Sequence, residues 1–197
     1  MSQPRTPEHT IHSLFVERWS PRAFTGETIA DEVLLRFFEA ARWAPSAYNS
    51  QPWRFIYAKN DSAHWPQFVG LLSEFNRGWA QNASALVILL SKTHFVPPGK
   101  TESIPATTHA FDAGAAWANL ALQASLDGWA THAVGGYDKA KAREILGIPE
   151  DYALEAAIVI GKRGDKAQLP ANLQERETPS PRRPLSELIA EGGFAFA

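Results

Sequence analysis

The sequence predicts a single domain of mixed helix and sheet spanning residues 1–197. Two kinds of periodic segment stand side by side in it. Residues 30–43 and 109–127 carry helical patterns, whereas Ala85–Leu90 and Ala156–Ile160 are continuous apolar runs too short for a stable helix. The chain shows no internal repeat, low-complexity tract or linker. Its 197 residues fit one domain, and folding buries roughly 70% of the surface of an extended chain of this size. That suffices for a core without disulfides or a structural metal.

Each element has its own justification. Val33, Leu34, Phe37, Phe38, Ala41 and Trp43 form a helical stripe, with Asp31 and Glu32 favourable in its first turn. Ala44-Pro45 stops this helix, because a residue before proline avoids the helical region. Trp53–Ala58 reads as a strand and Trp65–Glu74 as one helix. The run Ala85–Leu90 suits a strand covered on both faces. Residues 93–108, with Pro97-Pro98-Gly99 and Pro105, read as a mobile loop over a binding site. His109–Asp127 is apolar on nearly every face, so it is expected to be buried. Gly128 ends it and Trp129–Val134 is extended. Gly135-Gly136 makes a turn, Asp138–Leu146 a short helix, Ala156–Ile160 a last strand, and Pro184–Ala190 a terminal helical turn.

Composition removes whole classes of chemistry. With no cysteine, a thiolate metal site, an iron–sulfur cluster, a disulfide framework and a cysteine nucleophile are impossible. A net charge of −2 gives no reason to expect nucleic acid or an anionic membrane as partner. No secretory signal or span of transmembrane length is visible, so a cytoplasmic location is expected. Phosphate-loop, dinucleotide, zinc-protease and nucleophile-elbow motifs are absent. His109 and Asp112 lie one helical turn apart, a spacing that helical surfaces often produce without a metal.

Three polar clusters remain. In Arg18-Trp19-Ser20-Pro21-Arg22, the residues two apart share one side of an extended chain, where two guanidiniums and a hydroxyl could converge on an anion; spacing alone favours a solvated basic turn. The segment Ala44-Pro45-Ser46-Ala47-Tyr48-Asn49-Ser50-Gln51-Pro52-Trp53 holds uncharged donors and acceptors between two prolines. It suits a ring system with polar edges, or an ordinary helix–strand connection. Arg182-Arg183 matters only if the tail folds back onto the first cluster.

Taken together, these segments resemble the nitroreductase family. The match runs through Arg18-x-Ser20-x-Arg22-x-Phe24, then Ala44 to Phe55, the helix Asp112–Asp127, the turn Val134-Gly135-Gly136-Tyr137-Asp138 and Arg182-Arg183-Pro184-Leu185, in the expected order. The resemblance implies an α+β fold, a mostly antiparallel central sheet flanked by helices, in an intertwined homodimer with FMN in two interface clefts. It further implies that Arg18, Ser20 and Arg22, joined by Arg182, hold the FMN phosphate, with Trp19 and Arg183 alongside. Asn49 would bond the flavin, Pro45, Ser46 and Ala47 would pack near its ring, and Gly136 would turn its N–H towards N5. Gly135 stands where some nitroreductases carry glutamate.

The activity so implied is electron transfer from NAD(P)H through FMN to nitroaromatics, quinones or related small-molecule acceptors by alternating half-reactions. No acid–base residue, nucleophile or metal ligand is assigned. Trp43, Trp79, Phe95 and Trp117 are candidates to wall an acceptor pocket. Two other readings fit the same sequence. One is a branch acting on enones, halogenated substrates or flavin itself, and the other is a flavin-binding module without catalysis.

Overall fold

The computed structural model describes residues 5–196. A short helix α1 (Ser13–Glu17) precedes α2 (Asp31–Arg42), strand β1 (Trp53–Lys59), α3 (Trp65–Val69), α4 (Glu74–Ala80) and β2 (Ala85–Lys92). A ribbon of β3 (His94–Phe95) and β4 (Ile104–Pro105) follows, then α5 (His109–Leu126), β5 (Ala130–Val134), α6 (Lys139–Ile145), β6 (Tyr152–Gly161) and α7 (Ala171–Gln174). The main sheet has the order β1-β2-β6-β5 and every pairing in it is antiparallel.

Side-chain alternation along β2 and β6 generates two cores. Leu86, Ile88, Leu90, Ala157 and Val159 face a layer with Phe24, Phe68 from α3, Trp79 from α4 and Ala142 from α6. Val87, Leu89, Ile158 and Ile160 face Leu34 and Phe37 of α2 and Ala113, Ala116 and Leu120 of α5. The residues from Ala85 to Ser91 are all buried, as a strand with helices on both faces requires. The β2–β6 register shifts between Leu89/Ala156 and Leu90/Leu154, so Glu155 is the extra residue of a β-bulge.

Three expectations need correction. The helix expected over 65–74 is two helices, because Leu72 bridges to Tyr137 and Ser73 starts a new helix by accepting from the Asn76 N–H. The segment 93–108 is not wholly irregular: it contains the β3–β4 ribbon, pinned where the Ala106 N–H donates to the Thr93 carbonyl. Helix α5 buries only one face within the chain. Phe111 and Leu126, 80% and 62% exposed, lie with Ala118 and half-buried Leu122 on an apolar stripe at helical spacing.

Candidate functional site

The segment after α1 runs extended past the edge of β5, and the C-terminal tail folds back over it. Phe24 pairs with Arg163, and Glu177 Oε1 accepts from the Arg22 and Ala23 N–H groups at 2.7 and 2.9 Å. These bonds fix the backbone so that Arg18, Ser20 and Arg22 line a cavity of about 330 Å³ together with Trp19, His132, Arg176 and Arg182. The Arg18 guanidinium donates to Ser20 Oγ at 3.4 Å. Burial pushes the Arg18 guanidinium below its ordinary pKa, and so do Arg5 and Arg182. Burial and Arg176 do the same to Arg22, partly offset by Glu177. The Nε of Arg22 is buried without a partner among the described residues.

The tail thus does what made Arg182 worth naming. Arg183 goes elsewhere, to a neighbouring groove with Arg5, Glu8 and Leu185. Trp19 lines the cavity while its ring stacks against Arg163 at 5.2 Å. Arg176, Glu177 and His132 were not legible as site residues. The first two sit in a polar tail with no local motif, and His132 is one residue of a strand.

His132 donates its Nδ1–H to the Pro21 carbonyl, 2.9 Å away, beneath the Trp79 ring. Burial lowers its pKa below the ordinary 6.5, reinforced by Arg22 and Arg18 and opposed by the Pro21 bond and Glu177. A histidine so depressed stabilises the fold above pH 6.5 and loses that contribution as pH falls towards the folded value. A bound phosphate reverses the local charge. Inorganic phosphate is therefore expected to raise the melting temperature more at acid than at alkaline pH, and His132→Gln to flatten that dependence in a series of thermal melts.

The loop 44–52 occupies the end of the sheet where β1 begins. Tyr48, Asn49 and Gln51 have φ of 53°, 52° and 47° and are the non-glycine residues with positive φ among those described. Backbone strain concentrated in one loop is a mark of a functional segment. The loop is held by cross-bracing: Ser46 Oγ accepts from the Gln51 N–H at 3.0 Å, and buried Asp112 accepts from the Ala47 N–H at 3.2 Å and from Thr108 at 3.1 Å. Asp112 is a brace for the loop. Asp112→Ala would strand two donors and is expected to cost about 1–3 kcal/mol in chemical denaturation.

Pro45, Ser46, Ala47 and Asn49 do not line the arginine cavity of the same chain. Gly135 and Gly136 follow β5 and are exposed. The Gly136 carbonyl accepts from the Ser73 N–H and from Asn76 Nδ2, at 3.0 and 2.9 Å. A Cβ on Gly136 would come within 2.6 Å of Asn76 Nδ2, whereas one on Gly135 would meet nothing within 4 Å. Of the expected aromatic wall, Trp79 is buried in the core against Phe24, and exposed Trp43 is tied to Glu39. Phe95 rests on Tyr48, and Trp117 lines an apolar cavity of about 450 Å³ that shares Arg18 and Ser20 with the arginine cavity.

The family model described as "Nitroreductase family" matches residues 16–76 and 63–162. The chain belongs to the nitroreductase family. Similar proteins agree with the assignment. A crystal structure of an oxidoreductase containing FMN covers 100% of both chains at 47% identity and a TM-score of 0.95. A protein of Archaeoglobus fulgidus, provisionally named an NADH dehydrogenase/NAD(P)H nitroreductase, is 30% identical over 81% of this chain and 88% of its own. An oxygen-insensitive NADPH nitroreductase of Helicobacter acinonychis is 27% identical over 78% of this chain and 88% of its own. The α+β sheet expected for a nitroreductase is the one described above. None of the described helices is long and apolar enough to cross a membrane.

Proposed function

We propose that the chain is an FMN-dependent NAD(P)H oxidoreductase that passes electrons to nitroaromatic, quinone or related acceptors by a ping-pong mechanism. The observation that carries this reading is the cavity where Arg18, Arg22, Arg176 and Arg182 gather. The FMN-containing relative at 47% identity supports the choice of ligand. When bound, FMN supplies the two-electron chemistry that no side chain here provides.

The residues then divide the work by position. Arg18, Ser20, Arg22 and Arg182 hold the phosphate, with Arg176 added by the fold. From His132 to Gly136 the chain advances four residues, roughly 13 Å at strand spacing. A cofactor anchored at the arginines therefore reaches the Gly135–Gly136 turn by lying along the edge of β5. The close contact of Gly136 with Asn76 and Ser73 fixes the turn that would present its backbone N–H to the ring, and open space at Gly135 suits a broad range of flat acceptors.

Residues 1–197 act in this reading as one FMN-binding domain of a homodimer. The exposed stripe of Phe111, Ala118, Leu122 and Leu126 supports the second copy, because an apolar helix face of this kind is stable only when covered. The loop 44–52, remote from the arginines in its own chain, then serves the cofactor of the other subunit. We place the protein in the cytoplasm, where NAD(P)H and FMN are supplied.

The test is direct. Protein supplied with FMN and passed through gel filtration is expected to keep the visible flavin bands, to bleach with NADH or NADPH, and to recover colour with a quinone. Steady-state lines in double-reciprocal form should be parallel. A folded, colourless protein overturns the proposal, and intersecting lines overturn the alternating mechanism.

A further inference from the structure

The end of the sheet that carries the strained loop also carries a buried polar chain. In register, Trp53 at the start of β1 faces Ser91 near the end of β2, and Ser91 faces Ala153 near the start of β6. Val134, the last residue of β5 before Gly135, pairs with Ala157. Ser91, the loop 44–52 and the Gly135–Gly136 turn therefore share one end of the sheet. The bulge turns Glu155 out of the ladder towards Ser91, whose Oγ donates to Glu155 Oε1 at 2.5 Å. His109 Nδ1 lies 2.7 Å from the same Oγ and 3.4 Å from the carboxylate. One turn further along α5, Asp112 holds the Ala47 N–H of the loop.

This order is not that of a hydrolytic triad. Ser91 is fully buried and sits in the middle, so it presents no nucleophile. Hydrogen-bond bookkeeping gives it another use. A serine hydroxyl has one proton, and an ionised carboxylate only accepts. With that proton on Glu155, His109 must donate from Nδ1 to Ser91. The exchangeable position of the imidazole is then Nε2, which has no partner among the described residues and lies on a side chain 25% exposed.

We propose that His109, oriented by Glu155 through Ser91, is the proton donor to the acceptor. This inference rests on the reading of the chain as a flavin oxidoreductase. FMN, when bound, would supply the hydride to a quinone, and the His109 imidazolium would give its Nε2 proton to a quinone oxygen. One hydride and one proton complete the hydroquinone, and the neutral imidazole regains its proton from water. Glu155 and Ser91 are positioning residues, which keep Nδ1 protonated and place a negative charge behind the imidazolium. The other charged groups nearby are Asp112 on α5, the Lys92–Asp151 pair, His94 on Thr93, and Lys139 on the Leu154 carbonyl. Burial and then Glu155 push the Tyr137 hydroxyl well above its ordinary pKa, so it gives up its proton poorly and does not compete for the role.

Two measurements test it. A long-range ¹H–¹⁵N spectrum of the histidines is expected to show neutral His109 protonated on Nδ1, and Glu155→Gln or Ser91→Ala to weaken that preference. Protonation on Nε2 overturns the proposal without reference to activity. The second compares turnover with a quinone, which needs a proton, and with ferricyanide, a one-electron acceptor that needs none. In His109→Gln the quinone-to-ferricyanide ratio should fall about 100-fold. An unchanged ratio overturns the donor role while leaving the oxidoreductase reading intact. Wild-type protein that keeps no FMN overturns both.

Discussion

Replacement of Arg22 by alanine is expected to weaken FMN binding by more than tenfold and up to about a hundredfold. Charge-assisted hydrogen bonds contribute about 1.5–3 kcal/mol each. The guanidinium is partly desolvated, lies beside Arg176 and keeps its Nε without a protein partner. Its interaction with a phosphate is thus made where water competes poorly. Riboflavin, which lacks the phosphate, should lose little affinity in the same variant, and Arg22→Lys should recover only part of the loss because an ammonium lacks the planar fork. Arg18→Ala should behave alike. Fluorescence titration with both flavins decides the matter: equal FMN affinity in wild type and variant would refute the phosphate site.

Trp117→Asp is expected to dissociate the dimer and release FMN together. Trp117 is half-buried on α5 and lines the apolar cavity with Phe15, Ala118, Ala121 and Leu122. In the proposed homodimer, a carboxylate placed on the face that the second copy covers would lose its hydration without gaining a partner. The cost of at least about 3 kcal/mol corresponds to more than a hundredfold in the dissociation constant. Sedimentation equilibrium and the flavin absorbance of the separated species read both effects. A folded, FMN-loaded monomer would break the link between assembly and cofactor.

The sheet and its flanking helices were legible because burial wrote itself into periodicity. Ala85–Leu90 is apolar at every position since helices cover both faces, and the stripe from Val33 to Ala41 matches the inner face of α2, whereas Trp43 lies beyond the helix and is exposed. The break at Gly70–Ser73 was not legible, because a tertiary bridge from Leu72 to Tyr137 overrides a local pattern that continues helically. The bulge at Glu155 was invisible for the same reason: one inserted residue changes the register between strands, and nothing in either strand alone records it. Among the candidate site residues, Arg18, Ser20 and Arg22 are readable through the family resemblance, since their alternation alone favours a solvated turn. Arg176 and Glu177 reach the cavity only because a tail with no periodicity returns across the β5 edge. The nearly uniform apolarity of α5 predicted burial, and the exposed Phe111 and Leu126 show that the chain's own core covers only one face of the helix.

The three left-handed residues of the loop carry a consequence for anyone who selects this protein for heat resistance. Glycine adopts positive φ without the steric cost that Tyr48 and Gln51 bear. Exchanges to glycine there relieve the folded state by up to about 1 kcal/mol each, less what the more flexible unfolded chain takes back. They also remove the Tyr48 ring from Phe95 and the Gln51 amide from the Asn49 carbonyl. A screen that rewards survival at high temperature and a screen that rewards turnover would accordingly pull these same two codons in opposite directions.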